Sequence, residues 1–289
     1  MKVMCFFLVI AILLVGCSSP PVILATQPVP VASTSTSLPQ KTSVPPTITH
    51  TPTETMTLTP PPTLEPEQAQ EVIRILLQEA EFDCPAPCFL GIVPEETSFD
   101  ETRSSLISSG FPIEQQYINN EGIYTSYELD NGLSISVLIG IQNNIVEDLR
   151  VYITPKKNSA EKPREWVAYS PETLIRRYGT PSKVEFFVGG VPPPGQLHMM
   201  ILYFESANLI VNYSSYDSGT YTDTGEFHIC PLINDQDHIR IWFGEHPLHP
   251  PLPEVSLEEA TSMTLEEFSE LMTGEPDHAC IDLDMEAFY

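Results

Sequence analysis

Four cysteines in the C-terminal part of this chain have types and spacing that suit disulfide chemistry: Cys84, Cys88, Cys230 and Cys280. Four cysteines allow three pairings, and an even number is typical of a domain that folds in an oxidising compartment. Prolines on both sides of Ala86 disfavour a helix and favour a turn, which would bring the first two cysteines together. We therefore predict that Cys84 pairs with Cys88 and that Cys230 pairs with Cys280.

Two other uses of these thiols fit the sequence less well. A redox-active dithiol at Cys84 and Cys88 would usually have two intervening residues, and this pair has three. A four-cysteine zinc site would usually consist of two closely spaced pairs, and Cys230 and Cys280 are far apart in the chain. The sequence thus favours structural bridges.

Three histidines suggest a second kind of chemistry, a zinc site made of His238, His246 and His249. Acidic residues lie close by, and zinc accepts imidazole and carboxylate ligands. Such a site could support a metal-assisted hydrolase. The proline-rich segment 245–253 opposes this interpretation, because its extended backbone would direct His246 and His249 to different sides.

The acidic tail suggests calcium as an alternative ion. Asp282, Asp284 and Glu286 alternate, so on a strand they would share one face and could supply oxygen ligands. A solvated edge that discourages further strand pairing is the more common meaning of such a pattern.

Motifs for other catalytic mechanisms are absent or misplaced. The triplets at 217–219 and 223–225 look like those of aspartic proteases, but they are too close in sequence to face each other across a dyad, and a hairpin tip explains them. The chain contains no G-x-S-x-G, no H-E-x-x-H and no phosphate-binding glycine loop. We therefore expect no enzyme activity and favour a binding or structural role.

Aromatic residues are the candidates for a binding surface. Alternation places Trp242 on the face opposite Ile239, Ile241 and Phe243, which predicts a contact residue there. Tyr216 and Tyr221 lie in the same part of the chain, and tyrosines on a rigid sheet make adaptable contacts. The expected partner is an envelope protein or a glycan, because the N-terminal residues predict a location in the cell envelope.

The first 17 residues read as a signal peptide that ends at a lipidation site. Lys2 precedes an apolar run from Val3 to Leu14, which is too short to span a bilayer. The tetrad 14–17 resembles the lipobox of bacterial lipoproteins, which implies a diacylglyceryl group on Cys17. Two acyl chains give stable anchoring at about 0.8 kcal/mol per buried methylene, so the bilayer is the first expected partner.

Residues 18–66 have the composition of a tether. They contain 12 prolines, 18 serines or threonines and three charged residues among 49 positions. Such a segment cannot bury enough apolar surface to offset the entropy of folding. We therefore divide the chain into a signal peptide, 1–16, a lipidated cysteine with a disordered tether, 17–66, and an extracytoplasmic head, 67–289.

The charge of the head excludes nucleic acid as a partner. The whole chain has a formal net charge of -26, and residues 241–289 hold 12 acidic side chains and no lysine or arginine. Phosphate backbones are bound by clustered basic residues, and the one concentration of them in this sequence, at 156–164, includes an acidic residue and is typical of a solvated loop.

The spacing of apolar residues predicts an α+β head. Helical periods cover 67–81 and 97–109, the second with Thr97 as its N-cap, and a short helix opens at Ser170 and ends before Gly179. Alternating patterns with turn residues between them predict antiparallel strands at 124–129, 133–141, 145–153, 183–188, 199–204, 209–213, 227–230 and 239–243. The order of helix, Gly-x-Pro stop and meander occurs twice, which predicts pseudo-repeats at about 90–155 and 169–245. An acidic C-terminal helical segment follows at 254–289.

Two resemblances accompany these patterns. The stops at 110–112 and 179–181, with the order of elements, resemble the small lipoproteins of the outer-membrane assembly machinery and the tandem-repeat β-lactamase inhibitor proteins. The run from Cys84 to Pro94, with the segment 265–268, is similar to uncharacterised bacterial lipoproteins with Pro/Thr tethers. Glu95 stands where those proteins commonly have glycine, whereas Phe89 keeps their aromatic residue. The resemblance implies a lipid-anchored location in a cell or outer membrane and an α+β fold, and it transfers no binding residue.

Overall fold

The structure, which is a computed structural model, contains both α-helices and β-strands in the parts of the chain that it describes. These parts are residues 64–78, 84–112, 118–119, 122–154, 166–189, 197–216, 219–231, 238–244, 254–274 and 279–288. The α-helices are α1 (Pro66–Gln78), α2 (Phe99–Ser108), α3 (Pro171–Tyr178), α4 (Leu257–Thr261) and α5 (Leu265–Thr273). Short 3-10 helices are Val167–Tyr169, Glu205–Ala207 and Met285–Phe288.

Two meanders and one joining strand form the main sheet. Its strands are β1 (Ile118–Asn119), β2 (Gly122–Glu128), β3 (Ser134–Gln142), β4 (Ile145–Thr154), β5 (Lys183–Gly189), β6 (Leu197–Phe204), β7 (Leu209–Ser215), β10 (His238–Phe243) and β11 (Val255–Ser256). Their order is β1-β2-β3-β4-β10-β7-β6-β5-β11, and all neighbours are antiparallel. β10 therefore lies between the two meanders and pairs with β4 on one side and β7 on the other.

A second, smaller sheet contains β8 (Gly219–Tyr221), β9 (Phe227–Ile229) and β12 (Ile281–Leu283), in the order β12-β9-β8. With the main sheet and the helices, it confirms the predicted α+β class. α2 precedes the first meander and α3 precedes the second, as the pattern of helix and meander predicted. A duplication of one unit stays a prediction, because no repeat relationship follows from the order of elements alone.

Local sequence explains the turns of the first meander. Asn143 and Asn144 both have positive φ, 51° and 66°, the geometry of a two-residue hairpin turn that asparagine tolerates well. Between β2 and β3, the backbone N–H of Leu133 donates to the Asn131 side chain and Gly132 has a φ of 82°. The chain therefore reverses at the two places where turn residues interrupt the alternation.

Capping residues fix the helix starts. The Ser98 hydroxyl accepts a hydrogen bond from the backbone N–H of Glu101, whose carboxylate accepts one from the Ser98 backbone, so α2 begins with a capping box. This moves the cap one residue from the predicted Thr97, because the Thr97 hydroxyl instead accepts a hydrogen bond from the Val93 N–H at 2.8 Å. Ser170 caps α3 and Pro171 occupies its first turn, as the sequence indicated.

The largest cluster of buried apolar residues lies on one face of the main sheet. Inward residues of neighbouring strands match in register, for example Val137, Val151 and Ile241, and all three are fully buried. α1 contributes Ile73 and Leu77 to the same core. None of the helices within the described ranges combines the length and apolar composition of a membrane span. The predicted lipidation site at Cys17 and the tether up to residue 63 lie outside the described residues.

Candidate functional site

The register of the small sheet brings together side chains that are far apart in the sequence. β9 and β12 pair antiparallel with His228 opposite Asp282, and one residue further Ile229 lies opposite Ile281. The next residues along, Cys230 and Cys280, are joined by a disulfide with their Cα atoms 4.0 Å apart. Since side chains alternate along a strand, all four polar side chains share one face of this sheet.

The opposite face of the same strands is apolar. Phe227 and Ile229 of β9 and Ile281 and Leu283 of β12 are buried, each with 2% or less of its surface exposed. This alternation fixes the register, since a slip of one residue would exchange the buried and exposed sets. The polar face is thereby held outward, and we call its four residues, His228, Cys230, Cys280 and Asp282, the HCCD cluster.

Distances within the HCCD cluster suit proton and metal chemistry. Nδ1 of His228 lies 2.6 Å from Oδ1 of Asp282, and Nε2 of His228 lies 3.5 Å from Sγ of Cys230. The side chains of His228 and Asp282 are 40% and 52% exposed, so solvent and solutes reach them. The ligand atoms of His228, Cys230 and Cys280 all lie within 4.8 Å of one another.

The carboxylate determines which histidine nitrogen carries a proton. An ionised carboxylate is only an acceptor, so His228 must donate from Nδ1 to Asp282. In the neutral imidazole, Nε2 then has a lone pair, and that lone pair faces the Cys230 sulfur. Histidines that ligate metals commonly have this arrangement, with a carboxylate on the nitrogen that does not bind the metal.

The other cysteine pair has a different setting. Cys84 and Cys88 are joined within one loop, as predicted, with Cα atoms 5.4 Å apart. The backbone N–H of Gly91 donates to Cys84 Sγ at 3.3 Å, and the N–H of Ala86 donates to the Tyr178 hydroxyl at 3.2 Å. This bridge therefore fastens a loop to α3.

The predicted histidine site is not assembled within the described residues. His238 begins β10 and its Nδ1 lies 3.3 Å from the Thr154 hydroxyl of the neighbouring strand. His246 and His249 lie outside the described residues, so a zinc site that includes them stays a prediction. Across the described ranges, the one group of three histidine, cysteine or acidic ligands close enough for an ion is that of His228 with the two cysteines.

The predicted alternation of the acidic tail is wrong beyond Asp282. β12 ends at Leu283, and the Asp284 carboxylate accepts a hydrogen bond from the Glu286 N–H at 2.9 Å. Asp284 thereby begins the 3-10 helix at 285–288, while Asp282 contacts His228 in the small sheet. The three carboxylates do not follow one strand, which removes the geometric basis for the calcium site.

The structure corrects the prediction for Trp242 as a contact residue. Alternation does place it opposite Ile241, but only 5% of its surface is exposed, because it lies in a central strand between Arg150 of β4 and Ile210 of β7. Its side chain is therefore not a free contact surface.

The two tyrosines named with Trp242 do lie at the surface. Tyr216 is 40% exposed and Tyr221 is 51% exposed. One side of the Tyr221 ring packs against Phe227, with ring centroids 5.2 Å apart, which orients the remaining surface toward solvent. Tyr216 follows β7 and Tyr221 ends β8, so both lie at the strands that lead into the small sheet.

A second polar cluster lies at the edge of the main sheet, where Glu254 precedes β11. The Tyr203 hydroxyl donates to the Glu185 carboxylate at 2.5 Å, and Lys183 forms an ion pair with the same carboxylate. Burial and the hydrogen bond with Glu185 raise the pKa of Glu254 to about 7. Although burial acts in the other direction, the bonds from Lys183 and Tyr203 keep the pKa of Glu185 below its ordinary value. Below about pH 7 the Glu254 proton therefore lies between the two carboxyl groups and connects the C-terminal segment to β5.

His228 is the site residue that sequence reasoning missed, and Asp282 was predicted only as a calcium ligand and not as the partner of His228. A signal was present: His228-x-Cys230 and Cys280-x-Asp282 have the same spacing in opposite directions. A disulfide between antiparallel strands would therefore place the histidine opposite the aspartate.

Comparison with known proteins gives no further assignment. No protein-family model matches the chain, and neither a curated protein nor a solved structure matches it. Function is accordingly inferred from the residues and their geometry.

Proposed function

We propose that this chain is a lipid-anchored protein of a bacterial cell envelope whose head has a binding or structural role. The observation that carries the proposal is the tetrad 14–17, which follows an apolar run and immediately precedes a tether rich in proline, serine and threonine. A protein that is anchored through two acyl chains needs no membrane-spanning helix, and the tether would hold the head away from the bilayer.

The cysteine pairs support the same location. Both pairs in the head lie at bonding distance, and stable disulfides are a property of compartments outside the cytoplasm. An acidic head also suits this place, since a strong negative charge limits adhesion to anionic surfaces.

Tyr216 and Tyr221 are the residues that we propose for partner contact. Their exposure of 40% and 51% leaves large aromatic surfaces in water, and Tyr221 is ordered by its packing on Phe227. Ordered aromatic side chains lose little conformational entropy on binding and stack well on protein or sugar surfaces. The expected partner is an envelope protein or a glycan.

Metabolic labelling with a fatty-acid analogue tests the anchor. Cys17→Ser should abolish both the label and the recovery of the protein in the membrane fraction. Cys5→Ser, which changes a cysteine inside the apolar run, is the matched control and should keep both. A mature protein released into the medium with an unmodified thiol at its start would refute the proposal.

Cross-linking from native membranes tests the contact residues. Tyr216→Ala and Tyr221→Ala should each reduce the yield of a cross-linked partner, whereas Tyr124→Ala, which changes a tyrosine exposed by 37% on β2, should leave it unchanged. Equal yields in all three variants would place the contact surface elsewhere.

A further inference from the structure

The HCCD cluster contains the donor set of a metal site, although its two sulfurs are bonded to each other. Reduction would convert that bond into two thiols on neighbouring strands, beside an imidazole nitrogen that is already oriented. In a tetrahedral zinc site with Zn–S of about 2.3 Å and Zn–N of about 2.0 Å, sulfur and nitrogen ligands lie about 3.5 Å apart. Nε2 of His228 and Sγ of Cys230 lie 3.5 Å apart in the disulfide form.

The orientation of His228 has a clear use in the reduced form. A disulfide sulfur carries no proton, so the Nε2 lone pair gains no hydrogen bond from it. After reduction, the same lone pair faces a thiol, and a cation placed between them would be bound by nitrogen and sulfur together. Asp282 then holds the imidazole ring in place through its hydrogen bond with Nδ1.

Charge favours a cation at this place. The C-terminal segment 241–289 has 12 acidic residues and no lysine or arginine. Two thiolates add negative charge to a face that already holds a carboxylate, and a divalent ion would neutralise it. Soft thiolates with one imidazole select zinc over calcium or magnesium.

We propose that the outer face of the small sheet binds a thiophilic divalent cation, with zinc as the reference ion, when the Cys230–Cys280 disulfide is reduced. His228 Nε2 and the two thiolates are the ligands, and solvent occupies the fourth position. The site is independent of the lipid anchor, so the two proposals stand or fall separately.

The exchange between the two forms balances with a dithiol as reductant. One thiolate of the dithiol attacks a sulfur of the Cys230–Cys280 bond, and its second thiolate then resolves the mixed disulfide. Two electrons and two protons pass to the cysteines, and the reductant becomes a disulfide. Zinc then displaces the two thiol protons as it binds. The site would be loaded wherever a thiol reductant of this class reaches the head.

The test uses the full chain in detergent with Cys230 and Cys280 as its only thiols. The other cysteines are replaced by serine in this background: Cys5, Cys17, Cys84 and Cys88. After reduction with a phosphine and dialysis against zinc, atomic absorption should give one zinc per chain, and the same chain left oxidised should give none. Cobalt as a spectroscopic substitute should show thiolate charge-transfer absorption in the reduced chain.

Substitutions in this background identify the ligands. His228→Ala should weaken zinc binding at least tenfold, and Asp282→Asn should weaken it about 10- to 100-fold by loosening the imidazole. Thr220→Ala, which changes the exposed residue opposite His228 on β8, is the control and should leave zinc affinity unchanged. A reduced, folded chain without zinc, or equal affinity in His228→Ala, would overturn the proposal.

A second measurement covers the case in which the serine background does not fold. In the chain with all its cysteines, zinc should slow the alkylation of Cys230 and Cys280 after mild reduction, as read by peptide mass spectrometry. The same protection should disappear in His228→Ala. Equal alkylation rates with and without zinc would also refute the site.

Discussion

The two disulfide-linked regions differ in what the bond joins. Cys84 and Cys88 are four positions apart and close a turn within one loop, whereas Cys230 and Cys280 are 50 positions apart and join two strands. Loop entropy gives a contribution of about 2 kcal/mol for a closed loop of about five residues and about 4 kcal/mol for one of about fifty. The long-range bridge is therefore the larger stabiliser.

The surroundings of the two bonds differ in chemistry as well. Backbone N–H groups and the Tyr178 hydroxyl hold the first loop, while ionisable side chains surround the second bond. The register of β9 and β12 causes this difference. The same pairing that brings Cys230 to Cys280 also places His228 opposite Asp282. The disulfide between two strands thus has ionisable neighbours that the disulfide in the loop lacks.

Removing each disulfide in turn is the most direct test of the difference in stabilisation, and we expect the largest effects here. Cys230→Ser with Cys280→Ser should lower the free energy of unfolding by about 4 kcal/mol, and Cys84→Ser with Cys88→Ser by about 2 kcal/mol, because the unfolded chain regains loop entropy. Guanidinium unfolding measures both. Equal losses would mean that loop length does not distinguish the two bonds.

The Glu254 carboxyl group offers a test of the C-terminal segment that does not involve sulfur. Its pKa of about 7 in the folded chain lies above the ordinary 4.5, so the folded state binds more protons than the unfolded state between these values. The stabilisation is complete below pH 4.5 and is lost as the pH rises through about 7. Solvent screening limits it to on the order of 1 kcal/mol.

Urea unfolding across that pH window measures this effect. Glu254→Gln should remove the pH-dependent part, and Glu258→Gln, which changes an exposed residue of the adjacent α4, should keep it. Identical pH profiles for wild type and Glu254→Gln would contradict the shared proton. The same comparison without the Cys230–Cys280 bridge shows how far the two attachments of the segment depend on each other.

The smallest expected effect concerns the loop bridge. Tyr178→Phe removes the acceptor of the Ala86 N–H and should cost about 1 kcal/mol, since that N–H is partly buried. A double-mutant cycle should show coupling with Cys84→Ser and Cys88→Ser and additivity with Cys230→Ser and Cys280→Ser. Coupling to the long-range bridge instead would mean that the two regions are not independent.

Much of the fold follows from local pattern. Alternation and turn residues predicted both meanders, because each strand pairs with the strand that is next to it in sequence. The position of β10 between β4 and β7 could not be predicted this way, since its pairing with β4 joins residues more than 80 positions apart, such as Ile241 and Val151. The two-residue strands β1 and β11 have no periodicity to detect.

The candidate site was half predicted. The cysteine pairing was correct, but His228 was not identified and Asp282 was assigned to a calcium site, because the proximity of these two residues depends on the register of two short strands. Trp242 was predicted on the correct face of β10, but its exposure was predicted wrongly. Alternation gives the face, whereas burial depends on what covers that face. Sequence patterns indicate orientation within a strand, and packing determines exposure.

The place of β10 in the main sheet has a consequence for folding. The two meanders cannot form one continuous sheet until residues 238–243 have been synthesised, because β4 and β7 pair with β10 and not with each other. A chain that stalls before this point would present two unpaired strand borders, each able to recruit another molecule. Pairing of β10 with both β4 and β7 is therefore the step that joins the two meanders into one sheet.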